Sequence, residues 1–182
     1  MSDPLTLAAL GGVVAAEGIK FLYGQVAEVV KAWRTRRDER RKALEVPIVP
    51  TAALDAAPAR TEVDAAVVDQ HHAAMVELWA RLAPYANGLQ EVDVTDDELA
   101  RTAGELRALL EAAYGQRFTF RGEHREPTGT LVTVTQAVGP VSGRVVGVRG
   151  DVGSGAAVEV RQEATEVTAD GTVIGVDGRI SG

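Results

Sequence analysis

The sequence predicts a mainly α-helical bundle followed by a C-terminal two-repeat β-solenoid or cross-β region, and three observations carry that expectation. Apolar residues recur at helical spacing through three segments of the first two thirds of the chain. A polar stretch opening at Gly122 ends that pattern. From Gly129 to Gly178 the chain is then written twice, in short runs where β-branched residues alternate with polar ones and glycine marks the corners.

A chain of 182 residues suits one domain, or one domain with an appended module. Hydrophobic residues make up 46% but aromatics only 4%, so the core has to be built from Ala, Val and Leu. The net charge of −7 argues against general nucleic-acid binding. Cysteine is absent, which excludes disulfides and thiolate metal sites. Met1-Ser2-Asp3-Pro4 opens with an acid where a signal peptide has a basic region, so the expected location is cytoplasmic.

Ser2-Asp3-Pro4 is a good helix start, a polar cap followed by proline near the first helical position. Leu7, Leu10, Val14, Phe21, Val29 and Trp33 then recur at helical spacing. No charge occurs from Leu5 to Ala16, but Glu17, Lys20 and Glu28 interrupt the run afterwards, unlike a standard transmembrane helix. Ala8, Gly12 and Ala16 form a stripe of small residues that permits close helix approach. Gly11, Gly18 and Gly24 cost about 1 kcal/mol each relative to Ala, so this helix depends on packing. Two readings stay open. The helix is buried by its bundle partners, or it is a membrane-active element held in reserve, with Leu5, Leu7, Leu10, Val14, Ile19 and Phe21 as the inserting residues. It runs into Lys31, Arg34, Arg36, Arg37, Arg40 and Arg41. These cations either complement the helix dipole or contact anionic lipid headgroups.

Pro47, Pro50 and Pro58 make residues 45–60 a linker or long loop. Thr61 is the expected cap of a second helix from Glu62 to about Tyr85, with Val63, Ala66, Val67, Met75, Leu78, Trp79 and Leu82 on its apolar face and Asn87-Gly88 at its end. Thr95 to Glu98 reads as a capping box. The third helix follows to about Tyr114, turning Leu99, Ala103, Leu106, Leu109 and Leu110 inward and stopping at Gly115. Arg117 to Arg121 alternates aromatic and polar residues, as a short strand closing the helical part. The expected organisation is a helical domain over 1–122, a hinge over 123–128 and a β module over 129–182.

Catalytic signatures are lacking. Adjacent His71 and His72 point to different sides and lack the spacing of a metal pair. The acids Asp93, Asp96, Asp97 and Glu98 suit a helix N-terminus. No nucleophile–base arrangement, phosphate loop or zinc spacing is present. The chain is therefore expected not to be an enzyme and to need no cofactor or metal.

The first repeat reads Val132-Thr-Val134-Thr-Gln136, then Val141, then Val145-Val146-Gly147-Val148-Arg149. The second reads Val158-Glu-Val160-Arg-Gln162, then Val167, then Val173-Ile174-Gly175-Val176-Asp177. The offset is about 26 residues in the first half and about 28 in the second, with Ala169-Asp170 as an insertion that must bulge at a corner. Aligned this way, Val134, Gln136, Val146 and Val148 stack over Val160, Gln162, Ile174 and Val176, with Arg149 over Asp177. Two coils are fewer than a solenoid normally needs to stand alone.

The opening Met-Ser-Asp-Pro-Leu-Thr-Leu-Ala-Ala-Leu-Gly-Gly, continuing Glu17-Gly-Ile-Lys-Phe-Leu-Tyr-Gly24, resembles the start of the HeLo-like helical domains of fungal cell-death proteins, and more closely their bacterial counterparts, the Bell domains. The doubled tail resembles the tandem amyloid signalling motifs carried C-terminal to such domains, with Val-x-Gln and Gly-x-Val-[Val/Ile]-Gly-Val as its core. The resemblance implies a membrane-targeting, pore-forming executioner of programmed cell death or antiviral defence. It implies that a receptor of the nucleotide-binding oligomerisation type, bearing a matching motif, templates the prion-like tail into cross-β structure. The effector then acts on lipids at the inner face of the cell membrane. Expected partners are thus a further copy of the tail, such a receptor and membrane lipids. The alternative expectation is a non-toxic adaptor or structural protein whose tail polymerises or docks with no membrane step.

Overall fold

The computed structural model describes residues 5–36, 43–149 and 157–177. They fall into two compact units, 1–128 and 129–182. The first unit is helical with a small strand pair, and the second consists of short parallel strand pairs.

The first helix, α1 (Leu7–Arg36), buries Leu7, Leu10, Ala15, Ile19, Leu22, Val26 and Val29, a helical stripe that makes it the centre of the unit. Gly11 interrupts it with φ 73° and ψ 156°, a conformation only glycine adopts cheaply. The expected start at Ser2 to Pro4 lies outside the described residues, as do Arg37, Arg40 and Arg41.

Of the two expected alternatives, linker or long loop, residues 46–60 take the loop, which is packed against the helices. Strand β1 (Ala43–Glu45) pairs antiparallel with β2 (Glu62–Asp64), setting Leu44 opposite Val63. Val46, Ala53 and Leu54 are buried. The prolines remove helix-forming N–H groups, and the buried Gln25 amide serves the remaining backbone. It donates to the Pro47 carbonyl at 3.1 Å and accepts from Val49 N–H at 2.7 Å. Gln25 also donates to the Tyr114 hydroxyl, which in turn donates to the Val46 carbonyl at 3.1 Å.

Helix α2 (Ala65–Ala86) is capped by Asp64, whose carboxylate accepts from Ala66 N–H at 2.8 Å. Thr61 is not the cap, because residues 62–64 are spent on β2, and its hydroxyl donates to Glu45. The inward face is Val68, Met75, Leu78 and Leu82, while Ala66 is exposed. Asn87 ends the helix as expected, donating to the Ala83 carbonyl at 3.0 Å. Helix α3 (Asp97–Tyr114) is capped by Asp96, which accepts from Glu98 and Leu99 N–H at 2.9 Å each. The expected capping box is replaced by this arrangement. Thr95 turns its hydroxyl to Asp93 at 2.7 Å, and Glu98 pairs with Arg81. The Thr95 hydroxyl and the Thr95 N–H, the latter at 2.8 Å, both donate to the exposed Asp93 carboxyl and hold it below its ordinary range. Leu99, Ala103, Leu106 and Leu110 are buried, Leu109 is half-buried, and Gly115 closes the helix in the left-handed conformation at φ 60°.

The segment after α3 does not alternate. Strand β3 is only Gln116–Arg117, and every residue from Gln116 to Phe120 is buried. Phe118 and Phe120 meet Phe21 edge-on at 5.5 and 6.3 Å, and Phe120 bridges antiparallel to Leu54. Residues 123–128, expected as a hinge, are anchored to the helical unit. Glu123 pairs with Arg107, and Arg125 with Glu111 at 3.2 Å, all four side chains nearly buried. The same carboxylates accept from Phe120 N–H at 2.7 Å and Phe118 N–H at 2.8 Å. Buried charges persist only when paired in this way.

In the second unit β4 (Gly129–Val138) runs parallel to β6 (Ala157–Ala164), and β5 (Arg144–Arg149) runs parallel to β7 (Thr172–Asp177). No solenoid is formed among the described residues.

Two outcomes test the core. Replacing Arg107 with Met leaves Glu123 buried without its cation and should cost about 3–5 kcal/mol in urea unfolding; a loss near zero refutes the buried pair. Burial pushes the Tyr114 phenol up, the Gln25 hydrogen bond opposing. Its folded-state value is raised, so its stabilisation is complete below the ordinary value of 10.0 and is lost as pH rises beyond it. The Tyr114→Phe variant should lose less stability over that alkaline range, whereas parallel curves would show that the phenol is not sequestered.

Candidate functional site

Parallel pairing brings the two repeats together in one register. Val132, Val134 and Gln136 stand opposite Val158, Val160 and Gln162. Val141 bridges in parallel to Val167. Val145, Val146 and Val148 stand opposite Val173, Ile174 and Val176, and Arg149 opposite Asp177. The insertion at Ala169-Asp170 is absorbed in a turn, which Gly171 N–H closes on the Thr168 carbonyl at 2.9 Å.

Side chains add to this ladder. The Gln136 and Gln162 amides meet at 2.8 Å. With its amide turned so that the oxygen faces Gln136, Gln162 donates to the Ile174 carbonyl and accepts from Gly147 N–H, each at 3.1 Å, which ties the two strand pairs together, and Gln136 then has to turn to donate to it. Arg144 donates to Asp177 at 2.8 Å, so Asp177 has a cation from the first repeat that the sequence alignment did not name. Gly147 is needed because a Cβ there would lie 2.4 Å from Val160 Cγ1 and 2.6 Å from the Gly175 carbonyl. Repetition marks both glycines in the sequence, but only the packing gives the reason.

One property limits this unit as a free fold. The outer edges of β6 and β7 have no strand partner among the described residues. An open parallel edge is a template for another strand.

The inserting residues suggested by the sequence sit inside the helical unit. Leu5, Leu7, Leu10, Ile19 and Phe21 are buried and Val14 is half-buried. By length and composition Leu7–Thr35 is apolar enough to cross a membrane, a property it shares with buried core helices. Val13 is 76% exposed and lies in its uncharged part. At the other end Lys31 and Arg34 are exposed, Lys31 with Glu28 at 3.9 Å, and Arg36 is the last helical residue. A groove of about 690 Å³ lies between residues 5–8 and α3, lined by Leu5, Leu7, Val94, Ala100 and Gly104.

Among the described residues no group of three or more His, Asp or Glu is placed to hold a metal ion. His72 lies tilted against Trp33, ring centroids 4.2 Å apart. Comparison with protein-family models, with curated proteins and with solved structures finds no match for this chain.

The close approach at Gly147 is testable. Gly147→Ala should reduce amide-exchange protection across 144–149 and 172–177, while Gly143→Ala, where a Cβ meets nothing within 4 Å, should leave it unchanged. Equal protection in both variants overturns the packing account.

Proposed function

We propose that this chain is an effector whose tail is a template-seeking parallel β unit and whose helical unit holds a membrane-seeking helix in reserve. The observation that carries the reading is the in-register pairing of two repeats whose outer edge is open. Further coils stacking on that edge would pair its backbone groups and bury the Val and Ile side chains, converting two strand pairs into a cross-β solenoid. The motif resemblance supports a receptor with a matching repeat as the first template and cell death or antiviral defence as the outcome. On activation α1 would leave the core, its uncharged half entering lipid and Lys31 and Arg34 meeting anionic headgroups at the inner membrane face. No catalytic step or cofactor belongs to this mechanism.

A second reading is favoured by the burial of α1. Releasing it would open the core, so an adaptor that polymerises through its tail while the helical unit stays folded avoids that cost. The two readings separate on anionic vesicles loaded with dye. Full-length protein seeded with a 129–178 peptide should release dye, and Lys31→Glu with Arg34→Glu should weaken release by about tenfold or more, at about 1 kcal/mol per lost cation. Fibres that grow normally on such vesicles with no leakage leave the adaptor. Proline at Gln162 and Ile174 removes two ladder N–H groups and should abolish seeding; normal seeding by that variant refutes the strand assignment.

A further inference from the structure

One side of α3 carries no side chain beyond Cβ. Ala100, Gly104 and Ala108 follow one another at every fourth position and form the floor of the groove of about 690 Å³. Leu5 and Leu7 form the facing wall, and Gly104 lets it come close, since a Cβ there would lie 3.3 Å from Leu5 Cβ. That volume lies in the range of a site for one small molecule, and the lining is mainly apolar. One residue further round the helix a second row runs beside the floor: Asp97, Arg101 and Glu105, again at every fourth position. All three line the groove and are exposed, and none makes an ion pair among the described residues. The groove therefore has an apolar floor and a charged rim that reads minus, plus, minus.

We infer that this groove is a binding site for a single-chain zwitterionic amphiphile, its aliphatic chain on the Ala100–Gly104–Ala108 floor and its headgroup on the charged row. Neighbouring charges of that row stand about 6 Å apart along the helix, comparable to the reach of a phosphate joined through two carbons to an ammonium. The phosphate pairs with Arg101 and the ammonium with Asp97 or Glu105. A purely anionic head meets one guanidinium set between two carboxylates. A purely cationic head meets the carboxylates with the guanidinium beside it. A head carrying both signs finds an opposite charge for each of its own. Leu5 and Leu7 precede the break at Gly11, whose φ of 73° separates the first turn of α1 from the rest. A chain lying against that wall pins the first turn, so occupancy is read there as well as on α3. The site lies within the folded helical unit and needs neither the tail nor a membrane, which takes it beyond the function proposed above.

Titration of the full-length protein with three dodecyl probes below their micelle concentrations tests the inference: dodecylphosphocholine, dodecyl phosphate and dodecyltrimethylammonium. By calorimetry the zwitterion should saturate one site about fivefold or more tighter than either singly charged probe, the scale of one exposed ion pair. Amide-exchange protection should rise over 5–10 and 97–108. Arg101→Ala, at an exposed position, should reverse the order, so that the cationic probe binds tighter than the zwitterion. Ala100→Leu fills the floor and should weaken all three probes about tenfold or more; if that variant does not fold, Arg101→Ala decides. No saturable binding, a singly charged probe that matches the zwitterion, or an order unchanged in Arg101→Ala overturns the inference. So does protection that rises away from 5–10 and 97–108. Phosphocholine without its dodecyl chain that binds equally well overturns it too, because the apolar floor is then idle. The proposed function is read in seeded assembly and leakage and this site in binding to unassembled protein, so the failure of one is distinct from the failure of the other.

Discussion

Burial of three phenylalanine rings against one another is what lets so aromatic-poor a chain organise a helical unit. All three phenylalanines of the sequence, Phe21, Phe118 and Phe120, converge on one point. Tyr114 adds a fourth ring at 5.6 Å from Phe118. Edge-on pairs of this kind contribute about 0.5–1.5 kcal/mol each beyond the area they bury. The cluster needs α1 and the segment after α3 side by side, and Gly18 permits it, since a Cβ there would lie 3.2 Å from the Phe120 ring. The same segment carries the carboxylate of Glu123 to Arg107 and the guanidinium of Arg125 to Glu111. Aromatic packing and the buried ion pairs thus secure one stretch of backbone from two sides.

The tail obeys a different constraint. Its hydrogen-bond ladders are satisfied inward, repeat against repeat, and the outer edges of β6 and β7 have no strand partner among the described residues. An open parallel edge is a template for another strand. The proposed function follows from that deficit: the Gln136–Gln162 and Arg144–Asp177 contacts are ones that a further coil can repeat.

Helix existence was legible where the apolar period ran long, as in α1 and α3, and helix ends were legible at Asn87 and Gly115, where the residue type carries its own cap chemistry. Helix starts were not. Thr61 and Thr95 are good caps in isolation, but strand pairing claimed the residues after Thr61, and Asp96 outcompeted Thr95 by accepting two N–H groups. The proline-containing loop and the 123–128 stretch read as connections because their composition is polar or broken. Their partners, Gln25, Arg107 and Glu111, lie far away in sequence and appear there as ordinary helix residues.

By itself the sequence determined the repeat register, because a side-chain period of two allows only one alignment that keeps Val over Val and Gln over Gln. It also determined the long uncharged start of α1. Tertiary structure decided whether that start is exposed or packed: Leu7, Ile19 and Phe21 are core residues because α2, α3 and the Phe118–Phe120 segment supply surfaces to meet them. It decided as well that Arg144 reaches Asp177, and that Gly147 cannot carry a side chain. Local pattern sets which face of a segment is apolar, but what that face touches depends on residues distant in the chain.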